Sequence, residues 1–216
     1  IPSAVSGQPR LQYDRNRPVE TRVRYYNQFR PTDSVRIPEA YIIPRQWTRV
    51  VERLEWNNIR YRALERDTTL GVTSYRIADY STYQQAYEGH YPHYATSVTA
   101  DTVRRDFHAG DLVVPTDQPG VRYLVAYLEP MAPDSFFNWN FFDTILQQKE
   151  GFSPYVFEET AAELLAGDSL LRKKFQRMRD SVPGFADSGY RQLNWIYMQS
   201  PHYEAAHLQY PVYRLE

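Results

Sequence analysis

The C-terminal third of the chain is punctuated so closely that it leaves room only for short, separate helices. Asp134 or Ser135 can accept the orphan N–H groups of a helix N-terminus. Phe137, Phe141 and Ile145 then fall on one face, with Phe142 and Leu146 beside them, the spacing of a buried helical stripe. Gly151 can end that helix, and Ser153-Pro154 restarts one at once as cap and first-turn proline. The second helix is predicted from about Pro154 to Ala166, ended by Gly167, and Asp168 caps a third whose face is Leu171, Phe175 and Met178. A fourth is predicted from Tyr190 to Met198, through Leu193 and Ile196 or Tyr197. Residues 134–216 therefore read as a helical subdomain.

Upstream the period changes. Val19, Thr21, Val23 and Tyr25 alternate with Glu20, Arg22 and Arg24, which predicts a half-buried strand. Ala40 to Ile43 is an apolar run ended by Pro44, again strand-like. Trp47, Val50, Val51 and Leu54 have helical period, and Asn57 or Asn58 can end that helix. Strands are predicted over Ile59–Leu64, Leu70–Ile77, Val98–Phe107 and Leu112–Val114, the last two joined by an Ala109-Gly110-Asp111 turn. Thr116 or Asp117 opens a helix with the stripe Val121, Leu124, Val125 and Leu128. This order predicts an α+β fold: a mixed or antiparallel sheet with two packed helices, then a helical cluster. Residues 1–18, rich in Pro, Ser, Gly and Arg, read as a linker or extended arm. Residues 19–133 form the α+β part and 134–216 the helical part, expected to pack as one unit. The arm-like start suggests a piece of a longer polypeptide.

The 216 residues, 42% hydrophobic, are enough for a real core. A formal net charge of −1 provides no strong field to draw nucleic acid or anionic lipid. Without cysteine there is neither a disulfide scaffold nor a thiolate zinc site. No run reaches the roughly 18 apolar residues of a membrane span.

Among chemistry-bearing groups, Glu88, His90 and His93 have the right ligand types for zinc, but Pro92 keeps both histidines off one helical face. His202, Glu204 and His207 form a second loose cluster without a ligand pattern. Glu129, Asp134, Asp143, Glu150, Glu158, Glu159 and Glu163 supply carboxylates, yet acid–base hydrolysis needs two of them in one cleft. Asp134 reads as a cap, and Glu158, Glu159 and Glu163 as a wet helix face. Arg172, Lys173, Lys174, Arg177 and Arg179 read as the wet side of the third helix. No Gly-rich phosphate loop, G-x-S-x-G or H-E-x-x-H is present. Nineteen tyrosines and four tryptophans suit core and boundary packing, a partner-domain interface, or a carbohydrate platform. The candidate interface residues are Tyr87, Tyr91, Tyr94 and Trp139, the last lying two positions from the Phe137–Phe141 stripe.

Several segments carry a resemblance: AYIIPRQW, LERDTT, YEGHY, AGDLVVPTDQPGVRYLVAYLEP, APDSFFNWNFFDTILQQKEGFSPYVFEETAAELL and SPHYEAAHLQYPVYRL. Together they resemble the C-terminal region of large bacterial proteins of the zinc carboxypeptidase (carboxypeptidase A-like metallopeptidase) family, notably those of Bacteroidetes. The similarity spans about Pro38 to Leu215. In that family an upstream catalytic domain holds zinc through an H-x-x-E pair and a distant His, with a later Glu as general base. None of the five histidines here has a Glu three residues on, and His108-Ala109-Gly110-Asp111 reads as a turn. The resemblance thus implies an accessory domain without catalytic, cofactor or metal residues of its own, inactive alone. Zinc is expected only in the parent's catalytic domain, which is the implied partner. It also implies an exported protein, periplasmic or extracellular. The alternative is an independent module binding cell-wall carbohydrate or peptide.

Overall fold

A computed structural model describes residues 1–31 and 33–216. They divide into two units, Ile1–Val35 and Arg36–Glu216.

In the first unit, Pro2 and Pro9 form an antiparallel bridge around a turn with Gly7 at φ 69°. Beyond it the described residues up to Pro31 are irregular and exposed. The strand expected over residues 19–25 does not form: Val19, Val23 and Tyr25 are 86%, 78% and 83% exposed. Period two marks an apolar side, but a strand exists only where a neighbour takes its backbone hydrogen bonds and packs its side chains.

The second unit is α+β. Its described strands form one antiparallel sheet in the order β2-β5-β1-β6-β3-β4. The central strand β1 (Ala40–Ile43) is buried on both faces, which is why its sequence is a continuous apolar run rather than an alternating one. It pairs with β5 (Leu112–Pro115) on one side and β6 (Tyr213–Leu215) on the other. The short β2 (Arg62–Ala63) lies outside β5. The predicted turn after Phe107 is present, with the Asp111 carboxylate accepting from the His108 and Arg45 amides at 2.8 and 3.0 Å. The strands it joins nevertheless do not pair with each other.

Strands β3 (Thr68–Thr82) and β4 (His93–Phe107) make a hairpin of 15 residues each, longer than the expected pair. Its tip reverses at Glu88-Gly89, both at positive φ (47° and 78°), between paired Tyr87 and His90. Two consecutive left-handed residues give a turn whose twist matches its strands.

One face of the sheet carries Tyr41, Ile43, Tyr75, Ile77 and Val114. They pack with Val50 and Leu54 of α1 (Thr48–Trp56) and Leu124 and Leu128 of α2 (Val121–Leu128). Gly120 precedes α2 beside Ile59, whose Cδ1 would have to move aside for any Cβ there, 2.2 Å away. The opposite face carries a smaller cluster, Ile42, Val72, Phe107 and Tyr213.

Into the first face the chain buries an ion pair. Arg214 of β6 lies 3.4 Å from Glu129, just after α2, and both are under 7% exposed. The Tyr41 hydroxyl donates to Glu129 Oε1 at 2.7 Å, and Arg214 donates to the Tyr75 hydroxyl and the Arg36 carbonyl. Burial raises the Glu129 carboxyl above its ordinary range, although Tyr41 and Arg214 pull it down.

A separate cluster joins α3 (Pro154–Gly167), α4 (Ser169–Ser181) and α5 (Gly189–Met198) around Phe157, Ala161, Ile196 and Tyr197. Asp168 caps α4 as expected, accepting from Leu170 N and Leu171 N at 2.8 and 3.0 Å. The helical grouping is narrower than residues 134–216. Phe136, Phe137, Phe142 and Ile145 belong to the sheet core, and β6 belongs to the sheet.

Two predictions follow from this packing. Phe142 is fully buried and Phe141 only half-buried, so Phe142→Ala should cost roughly 3–5 kcal/mol and Phe141→Ala clearly less in denaturant melts. A raised folded pKa favours the protonated carboxyl of Glu129. Its stabilising contribution is present below the ordinary glutamate value of about 4.3 and lost as pH rises through the folded value. Stability of the wild type relative to Glu129→Gln should therefore fall as pH is raised from about 4 to 8. A gap constant with pH would show that Glu129 does not titrate in the fold.

Candidate functional site

The helix expected from Asp134 does not propagate, and its failure shapes the surface. Ser135 does act as a cap: its Oγ accepts from Asn138 N at 3.1 Å and donates to the Pro130 carbonyl at 3.1 Å. A single turn follows, closed by Trp139 N to Ser135 O at 3.0 Å. Asn140 then adopts φ 63°, with Phe141 N bonding Phe136 O and Asn140 N bonding Phe137 O. Those two bonds around a left-handed residue are the Schellman helix stop, completed by the Phe136–Phe141 ring contact at 4.8 Å. Asparagine tolerates this conformation better than other side-chain-bearing residues except aspartate. Only a short 3₁₀ turn, Asp143–Leu146, continues the segment. Phe136, Phe137 and Phe142 are thereby buried, while Trp139 stays half-exposed.

The base of the hairpin tip is pinned to this segment through His93, 5% exposed. Thr82 Oγ1 meets its Nδ1 at 2.8 Å and Asp143 Oδ1 its Nε2 at 3.1 Å. The His93 amide donates to Asn138 O at 2.8 Å, Thr96 donates to Asn138 Oδ1 at 2.8 Å, and Asn140 donates to the Tyr91 carbonyl at 2.9 Å. Hydroxyl, imidazole and carboxylate stand in a row, but the Tyr83 N–H beside Thr82 is already bonded to Pro92 O at 3.0 Å. That donor is not available to a developing oxyanion. The row holds structure together.

The other sequence candidates also have structural partners. His90 packs edge-on against Trp139 at 5.6 Å. Glu204 accepts from the Lys149 and Glu150 amides at 2.7 and 3.2 Å, which hold its carboxyl below the ordinary value, and His207 bonds the Tyr203 hydroxyl. Among the described residues no group of three or more His, Asp or Glu side chains is placed to hold a metal ion. The basic residues of α4 are exposed, with Arg172 donating to the last carbonyls of α3, Leu165 and Ala166, at 2.8 and 2.9 Å.

What remains is aromatic. Tyr87 and Trp139 come together at 6.2 Å, as two of the four predicted interface residues. Tyr94 instead pairs with Tyr83 at 4.8 Å, and Tyr91 presents an exposed ring between them in sequence. Tyr83, Tyr87, Tyr91 and Tyr94 are 44–59% exposed. Trp139 also lines an open groove of about 390 Å³ with Tyr123, Tyr127, Phe136, Arg53 and Asp134. Tyr123 and Tyr127 stack at 4.4 Å, and burial pushes the Tyr123 hydroxyl up to about 12. The sequence reading weighed His90 only as a zinc ligand and did not single out Tyr83, Tyr123 or Tyr127. The i, i+4 spacing of Tyr123 and Tyr127 was a usable signal for their stacking.

No protein-family model matches the chain, and no curated protein or solved structure is similar to it.

Asn140→Ala should cost roughly 1–3 kcal/mol, combining left-handed strain with the lost bond to Tyr91. Asn140→Gly should cost less, because glycine removes the strain. Equal losses in denaturant titrations would show that the backbone conformation at Asn140 is not the helix stop.

Proposed function

We propose that this chain is a non-catalytic domain that docks, through its exposed aromatic face, on the upstream catalytic domain of a zinc carboxypeptidase-like protein. The observation that carries the reading is the grouping of Tyr87, His90 and Trp139, with the exposed Tyr83–Tyr94 pair on the same hairpin. Large rings with polar tips are the side chains that concentrate binding energy at protein interfaces. The hairpin bearing them is held in place by the bonds around His93, so little order need be gained on binding. The resemblance of Pro38 to Leu215 to the C-terminal region of such proteins supplies the partner's class. In this reading zinc belongs to the partner domain alone and the parent is exported.

A second reading is a module for cell-wall carbohydrate or peptide. It is favoured by one feature, the groove in which Arg53, Asn57 and Asp134 stand beside Tyr123, Tyr127 and Trp139. Planar rings with amide, carboxylate and guanidinium groups at the rim suit a hydroxyl-bearing ring.

Hydrogen exchange on this chain alone and within the full-length parent should show protection gained at the Tyr87–Tyr94 and Trp139 peptides. Tyr87→Ala and Trp139→Ala should each weaken association of separately expressed domains about tenfold or more. Identical exchange in both settings excludes docking through this face, and glycan or peptide binding abolished by Tyr127→Ala would then establish the second reading. The purified chain should retain no zinc after dialysis and release no C-terminal residue from peptides. Near-stoichiometric zinc in elemental analysis would overturn the non-catalytic assignment.

A further inference from the structure

Strand β4 ends the sheet, and among the described residues no strand pairs with its outer side. At 15 residues it is far longer than a typical strand of about 5–6. Long open edges are usually guarded by bulges, prolines or charges, because their free N–H and C=O groups template further pairing. Here the register shifts are confined to Ile77–Ser81, opposite the tip-proximal end, and Val98–Phe107 pairs without interruption. That stretch contains no proline. Every residue from Thr99 to Asp106 is exposed. The only guards are charges, Asp101, Arg104, Arg105 and Asp106, and they are two of each sign.

We propose that β4 is a homodimer edge, pairing antiparallel with β4 of a second copy about a twofold axis at Val103. A twofold axis normal to a sheet places one residue opposite its own copy and pairs its neighbours symmetrically. Centring on Asp101, Arg104 or Arg105 sets like charges face to face, which is destabilising. Centring on Thr102 opposes Asp101 to Val103 and pairs no charges. Centring on Val103 opposes Asp101 to Arg105 twice and brings together two valines, each 36% exposed on its own chain. Asp101, Val103 and Arg105 share one face of the strand, as their partners Ser74, Val72 and Leu70 show. On the other face Arg104 would meet Thr102, and Asp106 would meet Ala100, with no like-charge contact. The charges that deter pairing with arbitrary strands are thus complementary to themselves in one register.

The test is sedimentation of the 216-residue chain across micromolar concentrations, with hydrogen exchange as a local readout. A reversible dimer is expected, with amide protection between Thr99 and Asp106 that rises with concentration. Asp101→Arg should raise the dissociation constant about tenfold or more by setting Arg against Arg. The double variant Asp101→Arg/Arg105→Asp should restore dimerisation. Arg105 lies over the Tyr213 ring at 4.6 Å, so thermal melts must confirm that the double variant is folded. Should it fail to fold, Asp101→Arg alone, which leaves the Tyr213 contact intact, decides. A chain that stays monomeric throughout, or a dimer indifferent to Asp101→Arg, overturns the proposal. Protection appearing only on addition of an extended peptide would assign the edge to another partner and equally overturn it.

Discussion

The buried pair of Arg214 and Glu129 is the contact on which the larger unit turns. Strand β6 is three residues long and registers with β3 at a single position, Thr73 opposite Arg214. The segment before β6 lengthens this join, with an Arg76–Gln209 bridge and bonds from Tyr210 N to Tyr75 O and Ile77 N to Leu208 O, each at 2.9 Å. The Arg214 side chain adds to it, reaching Tyr75 on β3, Glu129 behind α2 and the Arg36 carbonyl before β1, while Tyr41 on β1 reaches the same carboxylate. Strands β1, β3 and β6 and the end of α2 are thereby tied to one polar centre. Truncating either side chain would leave its buried polar partners without their bonds, a loss of about 3–5 kcal/mol, whereas the intact pair need not add net stability. What it adds is a polar link that β1, β3 and β6 share.

The aromatic surface depends on that centre at one remove. The middle of β3 is fixed at Tyr75, and its far end is fixed by His93 and Asn138 to the turn that follows Ser135. Beyond the second anchor the tip carries rings that contribute little to the core. Their exposure is a consequence of rigidity elsewhere, since a hairpin this long would otherwise fray. The helix stop at Asn140 does the complementary work by turning Phe136, Phe137 and Phe142 inward and leaving Trp139 beside Tyr87.

Edge and tip use the same hairpin for different ends. Apolar rings gather at the turn, whereas the outer side of β4 is Thr-rich and charged. A surface of the first kind suits a partner of different chemistry, and one of the second suits a copy of itself, because reversal about Val103 sets Asp101 against Arg105 with no like-charge contact.

Local chemistry was enough to place β1, α1, α3, α4 and α5 from sequence to within a few residues. Proline after Ile43, Ser153-Pro154, Asp168 and the helical stripes act within one turn of where they stand. The same local signals misled at residues 19–25 and after Asp134. In the first case an alternating pattern has no neighbour to complete its hydrogen bonds, and no local signal reports that. In the second a real cap starts a helix that Asn140 ends after one turn, a choice supported by its bond to Tyr91 about fifty residues away. Among the candidate residues, sequence named Tyr87 and Trp139 without being able to say that their rings come together. The i, i+4 spacing of Tyr123 and Tyr127 was legible but went unread, and the partner of Arg214 was not legible at all. Periodicity and capping are one-dimensional and the sequence determined them; ring pairs, the buried charge pair and the open edge depend on which distant strands meet, and that only the tertiary structure decided.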